Sequence, residues 1–123
     1  MIPAQFDYVR AGSVDEAVAA LGQHGDDAKV MAGGQSLIPL LRLRLSYPEV
    51  VVDVGRVEEM RGVREDGDHL VIGAMTTHHD VMRDPLVREH CGLVAEATGT
   101  VADPAVRHRG SFGGALAHAD PAG

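Results

Sequence analysis

Val14, Ala17, Val18 and Leu21 recur at helical spacing directly after Ser13-Val14-Asp15-Glu16. Ser13 with Glu16 three residues on has the form of a capping box, in which two side chains satisfy main-chain N–H groups at a helix start. The pattern predicts a helix over 14–23, with Gly22 and Gly25 as its stop. Ala28 to Ala32 is then a short apolar run. It predicts a buried strand that delivers the chain into Gly33-Gly34. Ser36 is placed to cap a helix over 37–43, in which Pro39 is the third residue, where its missing N–H costs little. Leu37, Leu40, Leu41 and Leu45 would form its buried face.

Glu49 to Val54 (Glu-Val-Val-Val-Asp-Val) predicts a further strand. Val63-Arg64-Glu65 and His69 to Gly73 flank Asp66-Gly67, a hairpin turn signal. Thr76 or Thr77 is placed to cap a helix from about His78, with Asp80 favourable in its first turn. Asp84-Pro85 starts another short helix, with proline at its first position. Cys91 to Thr98 reads as helical, and Val101-Ala102-Asp103-Pro104 breaks it. Gly113 to Gly123 is small, apolar and glycine-rich, with no closing element. That ending predicts a fragment of something longer.

Composition narrows the classes. A length of 123 residues suits a single domain, read here as a βαβ-like subdomain over 1–55 and the start of a second over 56–123. A hydrophobic content of 45% marks a globular chain, and a net charge of −7 argues against a nucleic-acid partner. Cys91 is the single cysteine, so neither an internal disulfide nor a four-cysteine iron–sulfur cluster can form within the chain. No apolar run approaches the roughly 20 residues of a membrane span. The opening Met-Ile-Pro-Ala-Gln-Phe-Asp lacks the order of a secretory leader. The cytoplasm is the expected location.

Two glycine pairs carry the chemistry. Ala32-Gly33-Gly34-Gln35-Ser36 follows the first short strand, and Ser111-Phe112-Gly113-Gly114-Ala115 follows Arg107-His108-Arg109-Gly110. Each pair adjoins a hydroxyl residue. Glycine permits positive φ and close approach of a ligand to main-chain N–H groups, which is what a phosphate needs. Lys29 and Arg42 flank the first loop; Arg107 and Arg109 precede the second. The basic stretch 107–109 is either a solvated run or an electrostatic element beside a phosphate or subunit interface. His78-His79-Asp80 with His90-Cys91 makes a poor metal set, because adjacent helical residues diverge by about 100°. His78 and His79 read instead as exposed residues at a helix start, and Cys91 as a small core residue.

The ordered pieces resemble the FAD-binding medium subunit of molybdenum hydroxylases, of the aerobic carbon monoxide dehydrogenase and xanthine dehydrogenase type. They are Pro3-Ala4-Gln5-Phe6-Asp7-Tyr8, Ser13 to Ala17, Ala32 to Pro39, Ile72-Gly73-Ala74-Met75-Thr76-Thr77, Ala102-Asp103-Pro104, and Arg107 with Gly110-Ser111-Phe112-Gly113-Gly114. The resemblance implies an α+β fold, the N-terminal portion of a vanillyl-alcohol-oxidase-like (PCMH-type) FAD-binding domain. It implies FAD as cofactor, contacted by Ala32, Gly33, Gly34, Gln35 and Ser36 and by Ser111, Phe112, Gly113, Gly114 and Ala115. Position 115, where the family often has asparagine, is Ala115. It further implies an oligomeric assembly with a large molybdenum-cofactor subunit and a small 2Fe-2S subunit, in which the flavin passes electrons from iron–sulfur clusters to an acceptor. The substrate site would lie in another subunit. The family's subunit is more than twice this length. A stand-alone flavin oxidoreductase and a cofactor-free scaffold or dimerisation module are the alternatives.

Overall fold

Val50-Val51-Val52 is the chain's longest run of β-branched residues, and it becomes the middle strand of a parallel sheet. The structure, a computed structural model, describes residues 1–121. They divide into two compact units, one over Met1–Glu59 and one from Met60 onward. In the first unit β3 (Val50–Asp53) lies between β1 (Asp7–Arg10) and β2 (Ala28–Met31). Val52 is opposite both Val9 and Val30. Val51 and Val52 are fully buried. The strand at 28–32 is buried less than its composition suggests, since Lys29 and Val30 of β2 are exposed. It is an edge strand, and only β3 is covered by a strand on each side. β1, Asp-Tyr-Val-Arg, has no apolar alternation to reveal it and becomes a strand by pairing with β3. Its Tyr8 hydroxyl donates to Asp53 Oδ2, while Asp53 Oδ1 accepts from Gly55 N–H at 2.8 Å.

α1 (Val14–His24) begins as its cap predicts, with Ser13 Oγ accepting from Glu16 N–H. The reciprocal half of the box is displaced by one residue. Glu16 accepts from Gly12 N–H at 2.6 Å, and Glu59 Oε1 takes Val14 N–H at 2.6 Å. Gly22 lies within the helix, and Gly25, at φ +56°, ends it. The covered face is Ala17 with the half-buried Ala20, Leu21 and His24. Val14 and Val18 are exposed, so the stripe is rotated from the one the apolar spacing marks. α2 (Leu37–Arg42) buries Leu41, with Leu37 and Leu40 half-buried; Leu45 lies beyond its end and is 69% exposed.

In the second unit β4 (Val63–Asp66) and β5 (His69–Ile72) form the expected hairpin, but Asp66 pairs with His69. The two-residue turn is therefore Gly67-Asp68. Gly67 is at φ +58° and Asp68 is not in the positive-φ region, the type II′ pattern. α3 (His78–Arg83) is capped by Thr77, whose hydroxyl accepts from Asp80 N–H. α4 (Pro85–His90) is capped by Asp84 with proline first, and α5 (Gly92–Thr98) follows. Val81, Val87 and Ala95 form the core, with Val63, Leu70, Ile72, Cys91, Val94 and Phe112 packed on it. α6 (Pro104–Arg107) is capped by Asp103. α7 (Phe112–His118) occupies most of the stretch expected to be an open glycine loop. The architecture is α+β, as the family resemblance implied. Among the described residues no helix is long and apolar enough to cross a membrane.

Candidate flavin site

The first glycine loop joins β2 to α2. Gly34 is buried at φ +78°, and a Cβ there would lie 2.7 Å from Ile38 Cδ1. Its carbonyl accepts from Ile38 N–H at 3.0 Å, which closes the turn onto the helix. The N–H groups of Gly33, Gly34, Gln35 and Ser36 find no acceptor among the described residues. Ser36 does not cap α2. Its backbone, at φ −107° and ψ −42°, is helical, whereas a cap needs an extended residue to turn its oxygen back on the helix. The Ser36 hydroxyl therefore has no protein partner among the described residues. Gln35 and Ser36 are exposed. Four main-chain donors and a hydroxyl gathered at one turn are the chemistry that receives a phosphate. This donor set fits the pyrophosphate of FAD.

The second stretch is built differently. Thr77 and Ser111 face each other in an antiparallel bridge, with His78 N–H donating to Gly110 O at 3.1 Å and Phe112 N–H to Thr76 O at 2.9 Å. Gly113 N–H donates to Ala74 O at 2.8 Å, Gly114 N–H to Ser111 Oγ at 3.1 Å, and Ala115 N–H to Ser111 O at 3.1 Å. The donors of residues 112–115 are thus used inside the protein. Gly113 also has an internal reason to be glycine, because a Cβ there would lie 2.6 Å from Ala74 Cβ. Ser111 is buried and caps α7. Its own N–H has no acceptor among the described residues, and its hydroxyl proton remains to be donated. Ala115 is exposed. Residues 32–36 thus share one loop of the first unit, and 111–115 one capped turn of the second.

The sequence reading missed His78. Expected to be exposed, it is 5% exposed, with Nδ1 sealed from solvent and unpartnered. Burial holds its pKa below the ordinary histidine value. The signal was present: with Thr77 as cap, His78 shares a helix face with Val81, and both are buried. His79 stacks on His108 at 3.8 Å between ring centroids, and Arg83 Nη1 lies 3.3 Å from His79 Nε2. Arg107 Nη1 donates to Val101 O at 2.7 Å, so this cation ties down the loop before α6. His90 Nε2 is 2.8 Å from Glu65 Oε1, separate from the residues at the start of α3. No group of three or more metal-ligating side chains gathers among the described residues.

The family described as FAD binding domain in molybdopterin dehydrogenase matches residues 4–123. The carbon monoxide dehydrogenase medium chain of Hydrogenophaga pseudoflava is 50% identical over 121 residues, covering 98% of this chain and 42% of the relative. The 6-hydroxypseudooxynicotine dehydrogenase complex subunit alpha of Paenarthrobacter nicotinovorans is 43% identical over 122 residues, covering 99% and 41%. A solved carbon monoxide dehydrogenase from Hydrogenophaga pseudoflava matches with a TM-score of 0.95 at 51% identity, covering 98% of this chain and 42% of that one. The chain belongs to the family of FAD-binding domains of molybdopterin dehydrogenases. It spans about two fifths of the length of these relatives.

Proposed function

We propose that this chain is the N-terminal part of the flavin subunit of a molybdenum-containing dehydrogenase, where it holds FAD on an electron path between partner subunits. The observation that carries the reading is the loop around Gly34, which follows a parallel strand and has four main-chain donors and a hydroxyl without a partner among the described residues. Gly33, Gly34, Gln35 and Ser36, with Ala32, would hold the pyrophosphate. Ser111 would offer its N–H and hydroxyl to the cofactor, and Phe112, Gly113, Gly114 and Ala115, whose main-chain donors are already used, would contact it by close approach. When bound, FAD accepts electrons and hands them on; this chain's residues bind and orient it. The partners are a large molybdenum-cofactor subunit and a small 2Fe-2S subunit, in an oligomeric assembly. The names of the relatives, a medium chain and a complex subunit, support that division of labour.

The test is rapid-mixing spectroscopy of the full-length protein with and without its purified partners. Flavin reduction by the dehydrogenase substrate only when both partners are present is the expected result. Reduction of the flavin by substrate in the isolated subunit would overturn the relay and favour a stand-alone oxidoreductase.

A further inference from the structure

We propose that His78 is a positioning residue for the Ser111 stretch: as a neutral ring it supports Gly110 and the Thr77–Ser111 bridge, and taking up a proton releases that bridge and weakens flavin binding. The inference rests on reading Ser111 to Ala115 as a flavin-contacting segment.

His78 is the first residue of α3 and touches the second stretch twice. Its main-chain N–H donates to Gly110 O at 3.1 Å, one of the two hydrogen bonds that frame the Thr77–Ser111 pair. Its ring lies against Gly110: a Cβ at position 110 would sit 3.1 Å from His78 Cδ2 and 3.4 Å from Nε2. Ring and glycine are therefore fitted to each other, immediately before Ser111.

The ring is sealed in a way that suits only its neutral form. Nδ1 is buried with no partner among the described residues. An imidazolium carries protons on both nitrogens, so Nδ1–H would be buried without an acceptor whichever tautomer the neutral ring adopts. A countercharge is also lacking. α3 packs on α4, α5 and α6. These elements and their flanks carry His79, Asp80, Arg83, Asp84, Arg88, Glu89, His90, Glu96, Asp103, Arg107, His108 and Arg109. Among the described residues none of the carboxylates pairs with His78, and burial is the cause of its lowered pKa.

A second contact joins α3 to the end of α6. Arg83 Nη1, which can only donate, lies 3.3 Å from His79 Nε2. His108 Nδ1 donates to Pro104 O at 2.6 Å. The His79 and His108 rings stack at 3.8 Å between centroids.

The test compares the full-length protein with its His78→Leu variant, which keeps an apolar side chain of similar bulk and cannot titrate. FAD affinity is measured between about pH 7 and pH 5, alongside hydrogen exchange of the Phe112 amide and the amide at position 78. The wild type should lose up to about tenfold more affinity per pH unit than the variant once His78 protonates. The protection factors of both amides, corrected for the intrinsic pH dependence of exchange, should fall over the same range in the wild type and not in the variant. Identical pH profiles in the two proteins would overturn the proposal. Should the variant not fold, NMR titration of His78 in the wild type decides: titration at the ordinary histidine value with unchanged amide exchange contradicts it. Should neither protein bind FAD at any pH, the flavin reading falls, and amide exchange still decides whether His78 holds the bridge.

Discussion

A methyl group at position 113 would sit 2.6 Å from the Cβ of Ala74 and 2.8 Å from its Cα. The same two residues share a hydrogen bond, Gly113 N–H to Ala74 O at 2.8 Å. The main chain of α7 is therefore docked directly on the segment before α3. Gly113→Ala is expected to push these segments apart and to destabilise the protein by about 1–3 kcal/mol, as overpacking does. Adding Ala74→Gly should recover only part of the loss, because the Ala74 Cα and carbonyl remain in place. Denaturant unfolding of the two variants checks this.

Gly34 and Gly25 separate backbone strain from ligand binding. Both have positive φ, +78° and +56°. Gly25 has open space around its missing Cβ, while Gly34 faces the tip of Ile38. Each glycine-to-alanine change should cost roughly 1–3 kcal/mol of stability from the positive-φ backbone. Only Gly34→Ala should also weaken FAD binding, because it disturbs the turn that gathers the free donors. Equal flavin affinity in the two variants would remove the first loop from the site.

Ser111 and Ser36 make the complementary pair. Ser111 Oγ accepts from Gly114 N–H, whereas Ser36 makes no cap bond. Ser111→Ala should therefore lower stability by about 1 kcal/mol, the usual value of a lost N-cap. Ser36→Ala should leave the unfolding midpoint unchanged and weaken FAD binding by about 0.5–1.5 kcal/mol, one hydrogen bond's worth. Thermal unfolding and flavin titration of both variants separate the two roles.

The sequence was most legible where one local signal decides the structure. Ser13, Thr77 and Asp84 cap the helices that their types predict, and the Val50–Val52 run is the buried strand. It was least legible where tertiary contacts decide. β1 exists because β3 lies beside it, and β2 is an edge strand whose Lys29 and Val30 are exposed. Ser36 and Ser111 look alike in sequence, each a serine beside paired glycines and a helix. They differ in one backbone angle: Ser111 is extended at ψ 151° and caps, while Ser36 is helical at ψ −42° and does not. His78 escaped notice because a polar residue at a helix start is ordinarily solvated; its burial follows from the return of the chain at Gly110.

Titration of the full-length protein with FAD, with FMN as the control and the Gly34→Ala variant beside the wild type, tests the central claim most directly. Saturable binding of FAD, with FMN much weaker and affinity lost in the variant, is the predicted result. Equal affinity for FAD and FMN, or no loss in the variant, would contradict a dinucleotide site built on the loop at Gly34.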